Sequence, residues 1–97
     1  LAEVPHGTIW LDEGACTAVA SRGASVLPVG VTRVEGDYAA GDVVNVMAPD
    51  GVLVGRGITR YSSEEMVRVH GLKLDVIARL PEKDGAVAIH RDELLVF

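Results

Sequence analysis

His90-Arg91-Asp92 reproduces the opening of a protein-kinase catalytic loop, in which the aspartate accepts a proton from an attacking hydroxyl and a downstream asparagine binds metal. No asparagine follows it: the only one in the chain is Asn45, and 97 residues are too few for a protein-kinase domain. The tripeptide is read instead as a cap or flank of the last strand. Gly51-Val52-Leu53-Val54-Gly55-Arg56-Gly57 is glycine-rich, yet it lacks the Lys-Ser/Thr of a phosphate-binding loop and opens no helix. Its glycines are expected to permit a bulge or a bend. Ser25 is outside a nucleophile elbow, because Leu27 stands where the second glycine belongs. His6, His70, His90 and Cys16 lack the short two-ligand spacing of a zinc site. Asp12-Glu13 and Glu64-Glu65 are adjacent carboxylates at expected helix starts, where the helix dipole favours negative charge without any acid-base role. No catalytic residue, metal or cofactor is assigned to this chain.

Recognition by arginine is the chemistry that remains. Seven arginines outnumber two lysines, and Arg22, Arg33, Arg56, Arg60 and Arg91 could gather into one patch. A net charge of −5 opposes tight, sequence-independent binding to a phosphate backbone, so any nucleic-acid contact must be local and weak. Four aromatics are too few for an obvious base-stacking platform.

The elements that carry these residues follow from spacing. Thr8 to Leu11 reads as a strand, followed by a helix from about Glu13 to Ser21 with Ala15, Ala18 and Val19 inward and Gly23 as its stop. Cys16 on this alanine-rich helix is expected to be buried and inert. Ser25 to Leu27 and Val31 to Glu35 read as strands interrupted by Pro28-Val29-Gly30. Val43 to Met47 and Val52 to Ile58 form a hairpin across Ala48-Pro49-Asp50-Gly51. Ser62 and Glu65 have capping-box spacing, which predicts a helix from Ser63 to about Val69, ended by Gly71. Leu72, Val76, Ile77 and Leu80 suggest a third short helical segment before Pro81. Lys83-Asp84-Gly85 then turns into a last strand, Ala86 to Ile89, that resumes through Leu94 to Phe97. About six short strands with two to three short helices argue for a small, mainly β, closed or nearly closed sheet.

Length allows one domain, and no apolar run approaches the ~20 residues of a membrane-spanning helix. Leu1 in place of methionine, with no signal-peptide pattern in Leu1-Ala2-Glu3-Val4-Pro5, suggests a start within a longer protein. The lone cysteine suits a reducing cytoplasm.

Gly7-Thr8-Ile9-Trp10-Leu11-Asp12-Glu13-Gly14-Ala15, then Arg22-Gly23-Ala24-Ser25-Val26-Leu27-Pro28-Val29-Gly30-Val31, then Gly57-Ile58-Thr59-Arg60-Tyr61-Ser62 and Ile89-His90-Arg91-Asp92-Glu93-Leu94 follow one another in a distinctive order. The chain resembles the PUA domain at the C-terminus of bacterial glutamate 5-kinases, with residues 1–5 as a linker remnant and 6–97 as the domain. The resemblance implies a PUA-like pseudobarrel of about six short mixed strands. It also implies a parent enzyme that phosphorylates the side-chain carboxylate of L-glutamate with ATP and Mg²⁺ in proline synthesis, all of whose substrate sites lie in a preceding kinase domain.

PUA domains hold RNA with the first helix, the glycine-containing loop after it and the adjoining strands; Arg22, Gly23, Ala24, Ser25, Pro28 and Gly30 match that loop. Gly23 would allow close backbone approach, Arg22 offers a guanidinium fork and Ser25 a hydroxyl for phosphate or 2′-OH groups. With Arg56, Arg60 and Arg91 they are the candidate RNA- or partner-binding residues. The competing reading is that the loop only shapes a helix-to-strand turn. Two functions follow: a regulatory protein-contact module, with its own kinase domain as the first partner and homo-oligomer contacts as the second, or a weak RNA-binding module. The net acidity favours the first, and convergence of the five arginines on one face would favour the second.

Overall fold

Strand β1 (Gly7–Leu11) passes through Asp12 directly into helix α1 (Glu13–Arg22). Asp12 has extended backbone angles, and its carboxylate accepts the Ala15 N–H at 2.7 Å, satisfying one of the donors a helix start leaves unpaired. Glu13 in the first turn and Arg22 in the last both complement the helix dipole. Val19 is the one fully buried residue of α1, while Ala15 and Cys16 pack half-buried against the core. Gly23 closes the helix at φ +63°, and its N–H and that of Ala24 both point to the Ala18 carbonyl.

Among the described residues, no atom beyond the chain neighbours lies within 4 Å of where a Gly23 side chain would begin, so the expected cost of a substitution there is backbone strain. Gly23→Val should therefore cost at least about 1 kcal/mol, because a β-branched residue resists positive φ. Thermal unfolding measures this, and an unchanged midpoint would show that the turn tolerates a side chain.

The structure, a computed structural model, describes residues 4–71 and 87–97. The expected helical segment over Leu72 to Leu80, the Lys83-Asp84-Gly85 turn and Ala86 lie outside the described residues. The described chain continues from α1 through β2 (Val31–Gly36), β3 (Val43–Met47), β4 (Leu53–Ile58), α2 (Ser63–Val69) and β5 (Leu94–Val96). These strands form one mixed sheet ordered β2-β1-β3-β4-β5, antiparallel throughout except for the parallel β1–β3 pair.

Register explains which face is buried. Val34, Ile9, Val46 and Gly55 stand opposite one another along the sheet and turn inward. There they meet Val19, Val26, Tyr61, Met66 and Ile89 in the core. Burial pushes the Tyr38 phenol up to about 12 and also raises Tyr61, with the nearby Glu65 charge adding to the latter. Both phenols stay neutral near pH 7 and offer no base.

The β3–β4 hairpin turns as expected, with Gly51 at φ +86° and its N–H donating to the Ala48 carbonyl; Val52 belongs to the turn, not the strand. In α2 both halves of the capping box are present: Glu65 N–H donates to Ser62 Oγ and Ser62 N–H to Glu65 Oε1.

Two expected strands are reduced to one bridge. Ser25 to Leu27 does not extend as a strand, because Pro28 opens a 3₁₀ turn (Pro28–Gly30) that bends the chain out of any ladder. Of Ala86 to Ile89, the described part pairs only at Ile89, and a second 3₁₀ turn (Arg91–Glu93) intervenes before β5. Val26 N–H donates to the Ile89 carbonyl at 2.9 Å, and the Val26 carbonyl accepts from Ala88 at 2.8 Å. This bridge ties the segment before edge strand β2 to the segment before edge strand β5. Among the described residues, a five-stranded sheet plus one bridge thus makes the pseudobarrel.

Candidate functional site

The Val26–Ile89 bridge decides where the candidate loop sits. Because it joins residues 23–28 to residues 88–91, Arg91 is brought beside the loop, and its N–H donates to Ser25 Oγ at 2.9 Å. Ser25 is therefore engaged in fastening the second 3₁₀ turn. His90 caps the same turn: its Nδ1, in the neutral ring, accepts the Asp92 N–H at 3.1 Å, the structural role read from the sequence. Arg60 joins this neighbourhood through its N–H to the Ala88 carbonyl at 2.8 Å, while its guanidinium reaches Glu93 at 3.5 Å.

Within the loop, Arg22 and Gly23 are exposed and Ala24 and Ser25 half-buried, whereas Pro28 and Gly30 are buried. Gly30 has a packing reason to be glycine, since a Cβ there would run into the Ala15 methyl of α1; its carbonyl accepts the Asp12 N–H at 2.8 Å. A groove of about 230 Å³ separates α1 from the loop, with Asp12, Ala15, Ala18, Ala24, Ser25 and Val29 among its walls. Among the described residues, its polar side chains Asp12 and Ser25 already accept backbone hydrogen bonds, so the groove they line offers mainly apolar surface.

The five arginines divide between two settings. Arg22, Arg60 and Arg91 lie on the segments that meet at or beside the bridge. Arg33 and Arg56 instead project from the outward face of the sheet, on β2 and β4. Arg33 pairs with Glu35 and stacks 4.6 Å over the Trp10 ring. Arg56 donates from Nε to Asn45 Oδ1 at 3.0 Å and lies 5.8 Å from the centre of the Phe97 ring. Sequence reasoning did not pick out Trp10, Asn45 or Phe97 as arginine partners. Strand alternation was the available signal for Trp10: Ile9 and Leu11 face inward, so Trp10 must face out. Among the described residues, no three His, Cys, Asp or Glu side chains come together as a metal site, and no helix is long and apolar enough to cross a membrane.

A helix capped by Asp12, a glycine-closed loop and a mixed sheet sealed by one bridge define a class. The PUA domain family matches residues 7–80, and the chain belongs to that family. Over 97 residues it is 45% identical to the glutamate 5-kinase of Deinococcus radiodurans, an alignment covering 99% of this chain and 27% of that protein. The matched stretch is the C-terminal region of such kinases, so the chain spans about a quarter of the length of the curated relatives it matches. Among solved structures, a PUA domain from Aeropyrum pernix K1, determined as a tartrate complex, superposes with a TM-score of 0.69 at 28% identity, over 89% of this chain and 41% of that one. A chain of an H/ACA ribonucleoprotein bound to a substrate RNA shares the fold, with a TM-score of 0.64 at 24% identity over 87% of this chain and 22% of that one.

Proposed function

We propose that this chain is the non-catalytic PUA module of a cytoplasmic glutamate 5-kinase. Its parent polypeptide uses ATP and Mg²⁺ to phosphorylate the side-chain carboxylate of L-glutamate, and the module contacts and regulates the kinase region. The observation that carries this reading is the 45% identity across nearly the whole chain to one quarter of such an enzyme. The chemistry of the described residues is consistent with it: the carboxylates at helix starts cap backbone amides, and His90 and Asp92 stabilise a turn.

The polypeptide carrying this chain should form glutamyl phosphate from ATP and glutamate. His90→Gln and Asp92→Asn in that polypeptide should each change kcat less than about threefold, whereas loss of a general acid or base typically costs 10²-fold or more. A loss of about 100-fold in either variant would place part of the chemistry in this module.

RNA binding is the second reading: the division of the five arginines between two settings counts against it, while the bridge that sets Arg91 beside the Arg22 loop and the RNA-bound ribonucleoprotein among the structural relatives support it. In the full polypeptide, Arg22→Ala should then weaken binding to structured RNA evenly across sequences and reduce the salt slope by about one unit. A featureless salt titration in both proteins would leave the protein-contact role.

A further inference from the structure

Two of the four aromatics, Tyr38 and Tyr61, fill the core; the other two, Trp10 and Phe97, stand on the outward face of the sheet. Register assembles the rest of that face. Trp10 is paired with Arg33 on one side and Met47 on the other, and Arg56 is paired with Leu95. Leu95 is 49% exposed and Phe97 62% exposed, so the apolar groups are open at the β5 side. Tryptophan, phenylalanine, methionine and arginine are the residue types enriched in protein–protein contacts, and here each guanidinium is already stacked on a ring. Such stacking holds a long side chain in place before a partner arrives, which reduces the ordering cost of association.

We propose that this face, Trp10, Arg33, Met47, Arg56, Leu95 and Phe97, is the surface on which the kinase region of the same polypeptide docks. This rests on the reading of the chain as a glutamate 5-kinase module. The aligned region is 27% of the Deinococcus radiodurans enzyme, so roughly three quarters of such a polypeptide is available as the occupant. The chain enters the sheet at His6, whose N–H donates to the Val43 carbonyl, and β1 then carries Trp10 four residues on. At ~3.3 Å per strand residue, the entry point lies only about 13 Å from the indole. Linkage in one polypeptide makes the docking intramolecular, and at the ~1 mM effective concentration of a short flexible linker a contact with a Kd of ~100 µM is occupied about nine-tenths of the time.

The two methionines provide the test, because Met47 lies on the face and Met66 is wholly buried in the core. Hydroxyl-radical labelling of the full polypeptide should oxidise Met47 about tenfold faster in Arg33→Glu or in Leu95→Glu than in the parent, with Met66 protected in all three as the sign of an intact fold. Arg33 and Leu95 are both exposed positions, which makes either change compatible with folding. Equal Met47 rates in parent and variants would overturn the proposal. So would Met47 protection that is lost on roughly hundredfold dilution, which assigns the face to a second copy, or protection that appears only with added oligouridine, which assigns it to RNA. Glutamate phosphorylation is assayed on the same preparation. Its absence removes the underlying reading, whereas activity with an open Met47 removes this inference alone.

Discussion

Leu11→Ala should lower the stability of the domain by about 3 kcal/mol, within the 2–5 kcal/mol that truncating a buried leucine costs. Leu11 is completely buried at the point where β1 hands over to α1, and it belongs to the same core as Val31, Val26 and Val19. Those neighbours are held by the sheet, the bridge and the capped helix, so they cannot collapse into the space that the leucine leaves. Loss of transfer energy and an unfilled cavity therefore add. In a domain of this size each kcal/mol moves the midpoint by about 4–8 °C, so a fall of about 12–24 °C is expected in a thermal melt. A fall of less than about 4 °C would show that the junction repacks, and that α1 is not rigidly seated on the sheet.

Gly55→Ala should detach β5, at a cost of about 2–3 kcal/mol. Gly55 stands opposite Val96, and a Cβ there would run into the Leu95 carbonyl oxygen, with Val96 Cα only 3.2 Å away. Both obstacles are backbone, so no side-chain rotation relieves them and the strands must part. β5 has only three residues and pairs, among the described residues, with β4 alone. It therefore has little else to hold it. Amide exchange should report the separation: the Phe97 N–H, which donates to the Val54 carbonyl at 2.8 Å, should lose protection while the β1–β3 amides keep theirs. Equal protection in variant and parent would mean that the strand can shift without opening.

Local chemistry made much of this fold legible in advance. Asp12 before an alanine-rich run, Gly23 after it, the Ser62–Glu65 spacing and the Asp50-Gly51 turn each act within four residues, and each appears where its type demands. His90, read from its surroundings as a cap or flank of the last strand, caps the 3₁₀ turn that leads into β5. The family resemblance rests on the order of these same local signals, and the match over residues 7–80 bears it out.

Only tertiary structure decided the rest. Periodicity cannot tell that β1 lies between β2 and β3 and runs parallel to the latter, because strand order depends on how the whole core closes. Nor can it distinguish a strand from a single bridge at Val26, where a partner 63 positions away supplies the hydrogen bonds and Pro28 ends the ladder. The same long-range pairing sets Arg91 against Ser25 and leaves Arg33 and Arg56 on another part of the surface, stacked on Trp10 and Phe97. An arginine's charge belongs to its sequence position, but whether that charge faces a phosphate, a carboxylate or an aromatic ring is determined by what the sheet places beside it.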